Sequence, residues 1–167
     1  MLSKDIETAK AWADHYHAGQ VDKAGEPYVT HPERVASRLS SPEEQVVGWL
    51  HDTVEDTALT LREIEAQFGP ETAAAVDAIS RRDGEEWEDY LVRVKKNPIA
   101  RRVKISDLID NSNLSRIPRI TMRDVDRQTK YNKALRFMLE DEWLPSSPGP
   151  RSSSGFNLRG RCLGAII

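Results

Sequence analysis

Trp49-Leu50-His51-Asp52-Thr53-Val54-Glu55-Asp56-Thr57 places one imidazole and three carboxylates within six residues. They follow the apolar run Val46-Val47-Gly48-Trp49-Leu50 directly. Read as continuing helix, His51 and Glu55 share one face, and Asp52 and Asp56 share another. Carboxylates at the end of a buried helix oppose its dipole, which favours acids at the other terminus. One explanation is a solvated acidic helix end. The other is a divalent cation, which neutralises the carboxylates and accepts mixed nitrogen and oxygen ligands.

Working outward, the flanking sequence reads as helices separated by short turns. Ser41-Pro42-Glu43-Glu44 is a capping box that starts the helix leading to His51. Upstream, Ile6, Ala9, Ala13 and Tyr16 recur at spacings of three and four, an amphipathic helix over about 4–18 ending at Gly19. Gly25 and Pro27 break the segment 20–30 into a loop, and His31-Pro32 opens a short helix with proline at its first position. Downstream, Thr60-Leu61-Arg62-Glu63 is a second capping box, and Phe68-Gly69-Pro70 ends that helix and starts the next. Asn97-Pro98 caps a helix through Val103, Ile105 and Leu108. A last helix over about 121–143 carries Tyr131, Leu135, Met138 and Leu139 along one stripe. No segment alternates with period two, so the expected fold class is all-α.

Composition narrows the function. The 167 residues suit one domain with a real core. Residues 145–167 hold Arg151, Arg159 and Arg161 and no acid, so residues 1–144 carry 21 basic against 27 acidic groups. That balance argues against a nucleic-acid polymer as partner. The Ser-, Pro- and Gly-rich segment 145–167 is expected to be a disordered tail following a domain at 1–144. No apolar run approaches the roughly 20 residues of a membrane helix, so no membrane partner is expected. One cysteine, Cys162, excludes an internal disulfide and a Cys-based zinc site. With no signal-peptide pattern at Met1, a cytoplasmic location is expected.

Four histidines remain to be assigned: His15, His17, His31 and His51. His15 and His17 point to different helix faces; His15 reads as a surface residue and His17 as structural, at the helix end. In the helix after Asn97, Lys104, Asp107 and Asn111 share a face. Their spacing alone describes an exposed Lys–Asp ion pair, worth a few tenths of a kcal/mol.

The motifs in order are more specific than any one of them. His17-Ala-Gly-Gln20, Lys23-Ala-Gly-Glu-Pro-Tyr28 and Val29-Thr-His31-Pro32 resemble the opening of HD-domain phosphohydrolases related to RelA/SpoT-type alarmone hydrolases. The segment 49–57 looks like that family's His-Asp motif with its Glu-Asp extension. Val103-Lys104-Ile-Ser-Asp107-Leu-Ile-Asp-Asn111 is similar to its Lys-x-x-Asp-x-x-x-Asn motif, and Tyr131-Asn-Lys-Ala-Leu135 fits its last helix. The resemblance spans about residues 5–140 and implies a compact HD-domain helical bundle.

It further implies one metal ion, usually Mn2+, held by His31, His51, Asp52 and Asp107. Glu55 and Asp56 would flank the attacking water, position it and take up its proton. Lys23 would meet phosphate, Asn111 would lie near the ribose or base, and Lys104 would be structural or phosphate-facing. The implied activity is a metal-dependent hydrolysis of a nucleotide ester resembling (p)ppGpp 3′-pyrophosphohydrolysis. A nucleoside-monophosphate phosphatase and a catalytically silent nucleotide-binding module are the alternatives. Two positions depart from the family pattern. Asp22 stands where the larger hydrolases often carry arginine, and would repel phosphate if it faced the pocket. Asp110 stands where they tend to have histidine.

Overall fold

The computed structural model describes residues 2–140. The expected tail, 145–167, lies outside the described residues. The helices are α1 (Leu2–Tyr16), α2 (Thr30–Ser37), α3 (Pro42–Leu50), α4 (Thr53–Asp56), α5 (Leu61–Phe68), α6 (Pro70–Ile79), α7 (Trp87–Lys96), α8 (Pro98–Asn111) and α9 (Met122–Leu139). A 3-10 turn, Leu114–Arg116, links the last two. Among the described residues the only β feature is an isolated antiparallel bridge between Val21 and Pro27. The all-α expectation holds.

Helix starts follow local chemistry. The Ser41 hydroxyl accepts from the Glu44 N–H while the Glu44 carboxylate accepts from Ser41 N–H. Thr60 and Glu63 form the same reciprocal pair. The Asn97 side chain accepts from the N–H groups of Ile99 and Ala100. Each cap satisfies backbone donors that a helix start leaves unpaired.

Three readings are corrected and one helix is added. Helix α2 begins at Thr30, so Pro32 is its third residue, still inside the first turn where a missing N–H breaks no helical bond. The acids after His51 do not close α3, which ends at Leu50; Asp52 is the N-cap position of the separate one-turn α4. His51 and Asp52 keep near-helical dihedrals through this break. Helix α9 ends at Leu139, which is exposed, while Ala134 and Met138 carry its buried face. Helix α7 has no counterpart in the sequence reading, because no side chain caps its start at Glu86.

Helix α7 is secured from a distance. The Arg93 guanidinium donates to the carbonyls of Asp77, Ala78 and Ser80, where α6 ends, and pairs with Glu85. The buried Tyr90 hydroxyl donates to the Ile79 carbonyl at 2.6 Å.

Helices α3 and α8 form the middle of the bundle. Helix α3 packs on α1, α2, α6 and α8, and α8 packs on α2, α6, α7 and α9 as well. Val35 of α2, Val47 and Leu50 of α3, and Val103 and Leu108 of α8 are fully buried. Gly48 sets how closely α2 approaches α3. A Cβ there would lie 2.9 Å from Leu39 Cδ1 and 3.0 Å from Ala36 Cα. The leucine tip can turn away, but the Ala36 backbone cannot. Overpacking of this kind costs about 1–3 kcal/mol, more than the ~1 kcal/mol alanine gains over glycine in helix propensity. Gly48→Ala is therefore expected to lower the Tm in thermal unfolding, and an unchanged or higher Tm would refute the close approach.

Candidate metal centre

The site lies where α2, α3 and α8 meet. His31 is the second residue of α2, His51 follows the buried end of α3, Asp52 is the next residue, and Asp107 projects from α8. His31, His51 and Asp107 are all buried. The two imidazole rings stand 5.2 Å apart, edge to face.

Their polar atoms converge. His31 Nε2 is 3.2 Å from Asp107 Oδ1 and 3.6 Å from Asp52 Oδ2. His51 Nε2 is 3.1 Å from Asp52 Oδ2 and 3.8 Å from Asp107 Oδ1. One ligand atom each from His31, His51 and Asp52 fits within 4.8 Å, with Asp107 alongside. Ligands about 2.0–2.2 Å from one divalent ion stand this far apart. His51 Nδ1 lies 2.9 Å from the Gly48 carbonyl, and the buried Nε2 has no hydrogen-bond partner. An orphaned buried nitrogen between carboxylates is the feature a cation would resolve. The residues fit a divalent metal.

The electrostatics agree. Burial pulls both imidazoles down, but the surrounding carboxylates outweigh it. His31 is raised by Asp107 and Asp110, and His51 well raised by Asp52 and Asp107. Burial pushes Asp52 and Asp107 up. The imidazoles, and Lys104 in the case of Asp107, more than reverse this, so both stay ionised. The carboxylates thus attract positive charge into the gap, from protons or from a metal.

Neighbouring groups hold these side chains. The Tyr28 hydroxyl donates to Asp52 Oδ2 at 2.5 Å, and burial, then Asp52, drives the phenol upward. Lys104 Nζ is 2.8 Å from Asp107 Oδ2 and lies over the rings of Tyr90 and Trp87. The pair is largely buried, unlike the exposed pair that spacing alone described. Asn111 Nδ2 donates to Asp107 Oδ1.

Glu55 and Asp56 lie on the exposed side of α4, one turn from Asp52. Glu55 Oε1 accepts from the Arg81 N–H at 2.7 Å. Partial burial, and then the negative charge of Asp52, raises both carboxyls above the usual range.

A cavity of about 250 Å³ opens beside His31. Lys23, Asn111, Arg116, Arg127 and Tyr131 are among its lining residues. Lys104 is engaged with Asp107 instead. Asp22 also faces this cavity, but its charge is met: Oδ1 accepts from the N–H groups of Ala24 and Glu26, and Oδ2 pairs with Arg116 at 3.2 Å. His15 is exposed. His17, just past the end of α1, is buried, with Nδ1 2.9 Å from Gln20 Oε1. Sequence reasoning missed the roles of Tyr28, Asp110 and Arg116. Tyr28 and Asp110 lie inside the family-like motifs, whereas Arg116 follows them with no motif of its own.

Comparison with known proteins points the same way. Residues 9–101 match the HD domain family. The chain is 31% identical over 144 residues to a GTP pyrophosphokinase of Streptomyces coelicolor, covering 78% of this chain and 16% of that protein. It is 31% identical over 121 residues to a guanosine-3′,5′-bis(diphosphate) 3′-pyrophosphohydrolase of Aquifex aeolicus, covering 65% and 17%. Over 90 residues it is 36% identical to the bifunctional (p)ppGpp synthase/hydrolase SpoT of Escherichia coli, covering 52% and 13%. The chain thus spans about a sixth of the length of the curated relatives it matches. A solved structure of a metazoan SpoT ortholog that hydrolyses ppGpp superposes with a TM-score of 0.69 at 22% identity, covering 81% of this chain and 85% of that one. That likeness concerns the fold.

Metal binding to the folded site stabilises it by mass action, about 2.7 kcal/mol at a hundredfold excess over Kd. For a domain of this size that is a Tm rise of roughly 5–10 °C. Adding Mn2+ to chelator-stripped protein is expected to give this rise, and His51→Ala to remove it. A native chain whose Tm ignores saturating Mn2+ would contradict the centre.

Proposed function

The chain belongs to the HD-domain family, and from that premise we propose that it is a divalent-metal-dependent phosphohydrolase. Its proposed reaction removes pyrophosphate from the 3′ position of a guanosine alarmone or a closely related nucleotide. The observation that carries this reading is the convergence of His31, His51, Asp52 and Asp107, with Glu55 and Asp56 one turn away and a cation-lined cavity beside them. Several relatives are guanosine-3′,5′-bis(diphosphate) 3′-pyrophosphohydrolases by name, which supports the substrate class.

When bound, the ion, with Mn2+ the chemically suited choice for two imidazoles and two carboxylates, supplies Lewis acidity toward phosphoryl oxygen and water. The chain's own residues do the rest. Glu55 and Asp56 orient the water as it adds to phosphorus, and one of them accepts its proton. The phosphorus–oxygen bond to the ribose breaks, the carboxyl returns its proton to the departing 3′ oxygen, which becomes a hydroxyl, and pyrophosphate is released with the water's oxygen on it. Lys23 and Arg127, which line the cavity, offset the phosphate charge, and Asn111 faces the same space. Asp22 does not oppose this, because Arg116 neutralises it.

The proposed substrate is a free nucleotide, and the proposed place of work is the cytoplasm. No helix among the described residues is long and apolar enough to cross a membrane.

Incubation of Mn2+-loaded protein with guanosine 3′,5′-bis(diphosphate), GTP and deoxynucleoside monophosphates, with products identified, tests the reading. Pyrophosphate from the alarmone, lost on chelation, is the expected result. Glu55→Gln and Asp56→Asn should each lower kcat by about 10²- to 10⁴-fold while the Mn2+-induced Tm rise persists. Orthophosphate from the monophosphates alone would replace this reading with a nucleotide phosphatase. Metal-loaded protein that binds nucleotide and forms no product would replace it with a silent module.

A further inference from the structure

Asp110 is fully buried, although nothing in the proposed chemistry uses it. Its Oδ2 lies 2.8 Å from His31 Nδ1. The opposite nitrogen of that ring, Nε2, is the one that faces Asp107 and Asp52. A neutral imidazole carries one proton. If Nδ1–H is held by a carboxylate, the lone pair must sit on Nε2, and the ligand becomes more basic. We propose that Asp110 is a positioning residue for the metal centre, taking the Nδ1–H of His31 so that Nε2 presents its lone pair to the ion. This rests on the metal-dependent reading given above.

The placement favours such a role. Asp107 and Asp110 are three residues apart on α8, so a direct ligand and the group orienting another ligand share one rigid helix face. His51 is oriented by a backbone carbonyl, that of Gly48. His31 has a full carboxylate instead, and a buried carboxylate needs counter-charge. Arg34 Nε is 2.9 Å from Oδ1, Arg38 Nη2 3.0 Å from Oδ1, and Arg116 Nη2 3.2 Å from Oδ2. With three guanidinium groups and the His31 ring as its neighbours, the carboxylate is held in place as an acceptor.

A competing role is purely structural, with Asp110 as the anchor for three arginines. Each arginine has other partners: Arg34 donates to Thr30 Oγ1, Arg38 to the Arg34 carbonyl, and Arg116 to Asp22. The anchor role therefore predicts a loss of stability in any variant of the cluster. The positioning role predicts a change at His31 that follows Asp110 alone.

Long-range 1H–15N NMR of the histidines in the metal-free native chain, at a pH where His31 is neutral, reads the tautomer without any variant. The Nδ1–H form of His31 is expected, and an Nε2–H form overturns the proposal even if the variants fail to fold. Mn2+ affinity is then followed through the EPR signal of the free ion. Asp110→Asn is expected to weaken binding by about 10- to 100-fold and to shift His31 toward Nε2–H. Arg38→Met, which leaves the His31 bond in place, should bind Mn2+ within about twofold of the native chain. Equal Mn2+ affinity in the native and Asp110→Asn proteins overturns this inference alone. A native chain that takes up no Mn2+ overturns the metal reading and this inference with it.

Discussion

Two carboxylates are held against two buried imidazoles where α2, α3 and α8 cross, and the rest of the molecule is arranged around the cost of keeping them there. Taking ionised groups out of water is unfavourable by several kcal/mol per ion unless each is paired. Asp107 divides its oxygens, with Oδ2 on Lys104 and Oδ1 toward the imidazoles and Asn111. Asp52 is more exposed and takes the Tyr28 hydroxyl on the oxygen that faces the histidines. Between the two aspartates stand the two imidazoles. This leaves a gap that attracts positive charge, built from elements whose separation is set by apolar contacts elsewhere. Gly48 is the clearest link between the two: the missing Cβ admits Ala36 of α2, and the carbonyl of the same residue lies 2.9 Å from His51 Nδ1.

Cavity charge follows the same logic. The body of the chain is acidic overall, which argues against a broad surface for a polyanion. A small anion is a different matter, because it responds to the few groups lining its pocket. Arg116 is central there. It pairs with Asp22 from the loop between α1 and α2 and with Asp110 from α8, and so joins the mouth of the cavity to the residue that orients His31. An acid at position 22 looked hostile to phosphate in the sequence. In the fold it positions a guanidinium.

How much of this could be read from the chain depended on the sequence distance between partners. The caps at Ser41, Thr60 and Asn97 join residues no more than three apart, so their residue types announce them. The His-Asp and Lys-x-x-Asp motifs were legible as a set because four ordered patterns resemble one family. Helix α7 was not, since it lacks a side-chain cap and is tied down by Arg93 to carbonyls 13–16 residues away. The break between α3 and α4 was hidden for another reason: His51 and Asp52 retain near-helical dihedrals, so periodicity runs on through it.

Asp110 shows why motif reading stops short of the site's energetics. In sequence it is one more acid beside Asn111, and its partners His31, Arg34 and Arg38 are 72–79 positions away. Only the packing of α2 against α8 brings them together. Once that packing exists, the carboxylate can neither leave nor be left unpaired, because its surroundings exclude water. Three arginines on one buried acid leave the cluster net positive, and two of them, Arg34 and Arg116, also line the cavity. The charge that stabilises Asp110 is therefore the charge a phosphorylated ligand would meet. The metal centre and the anion pocket share one buried carboxylate, and a change at that carboxylate acts on both.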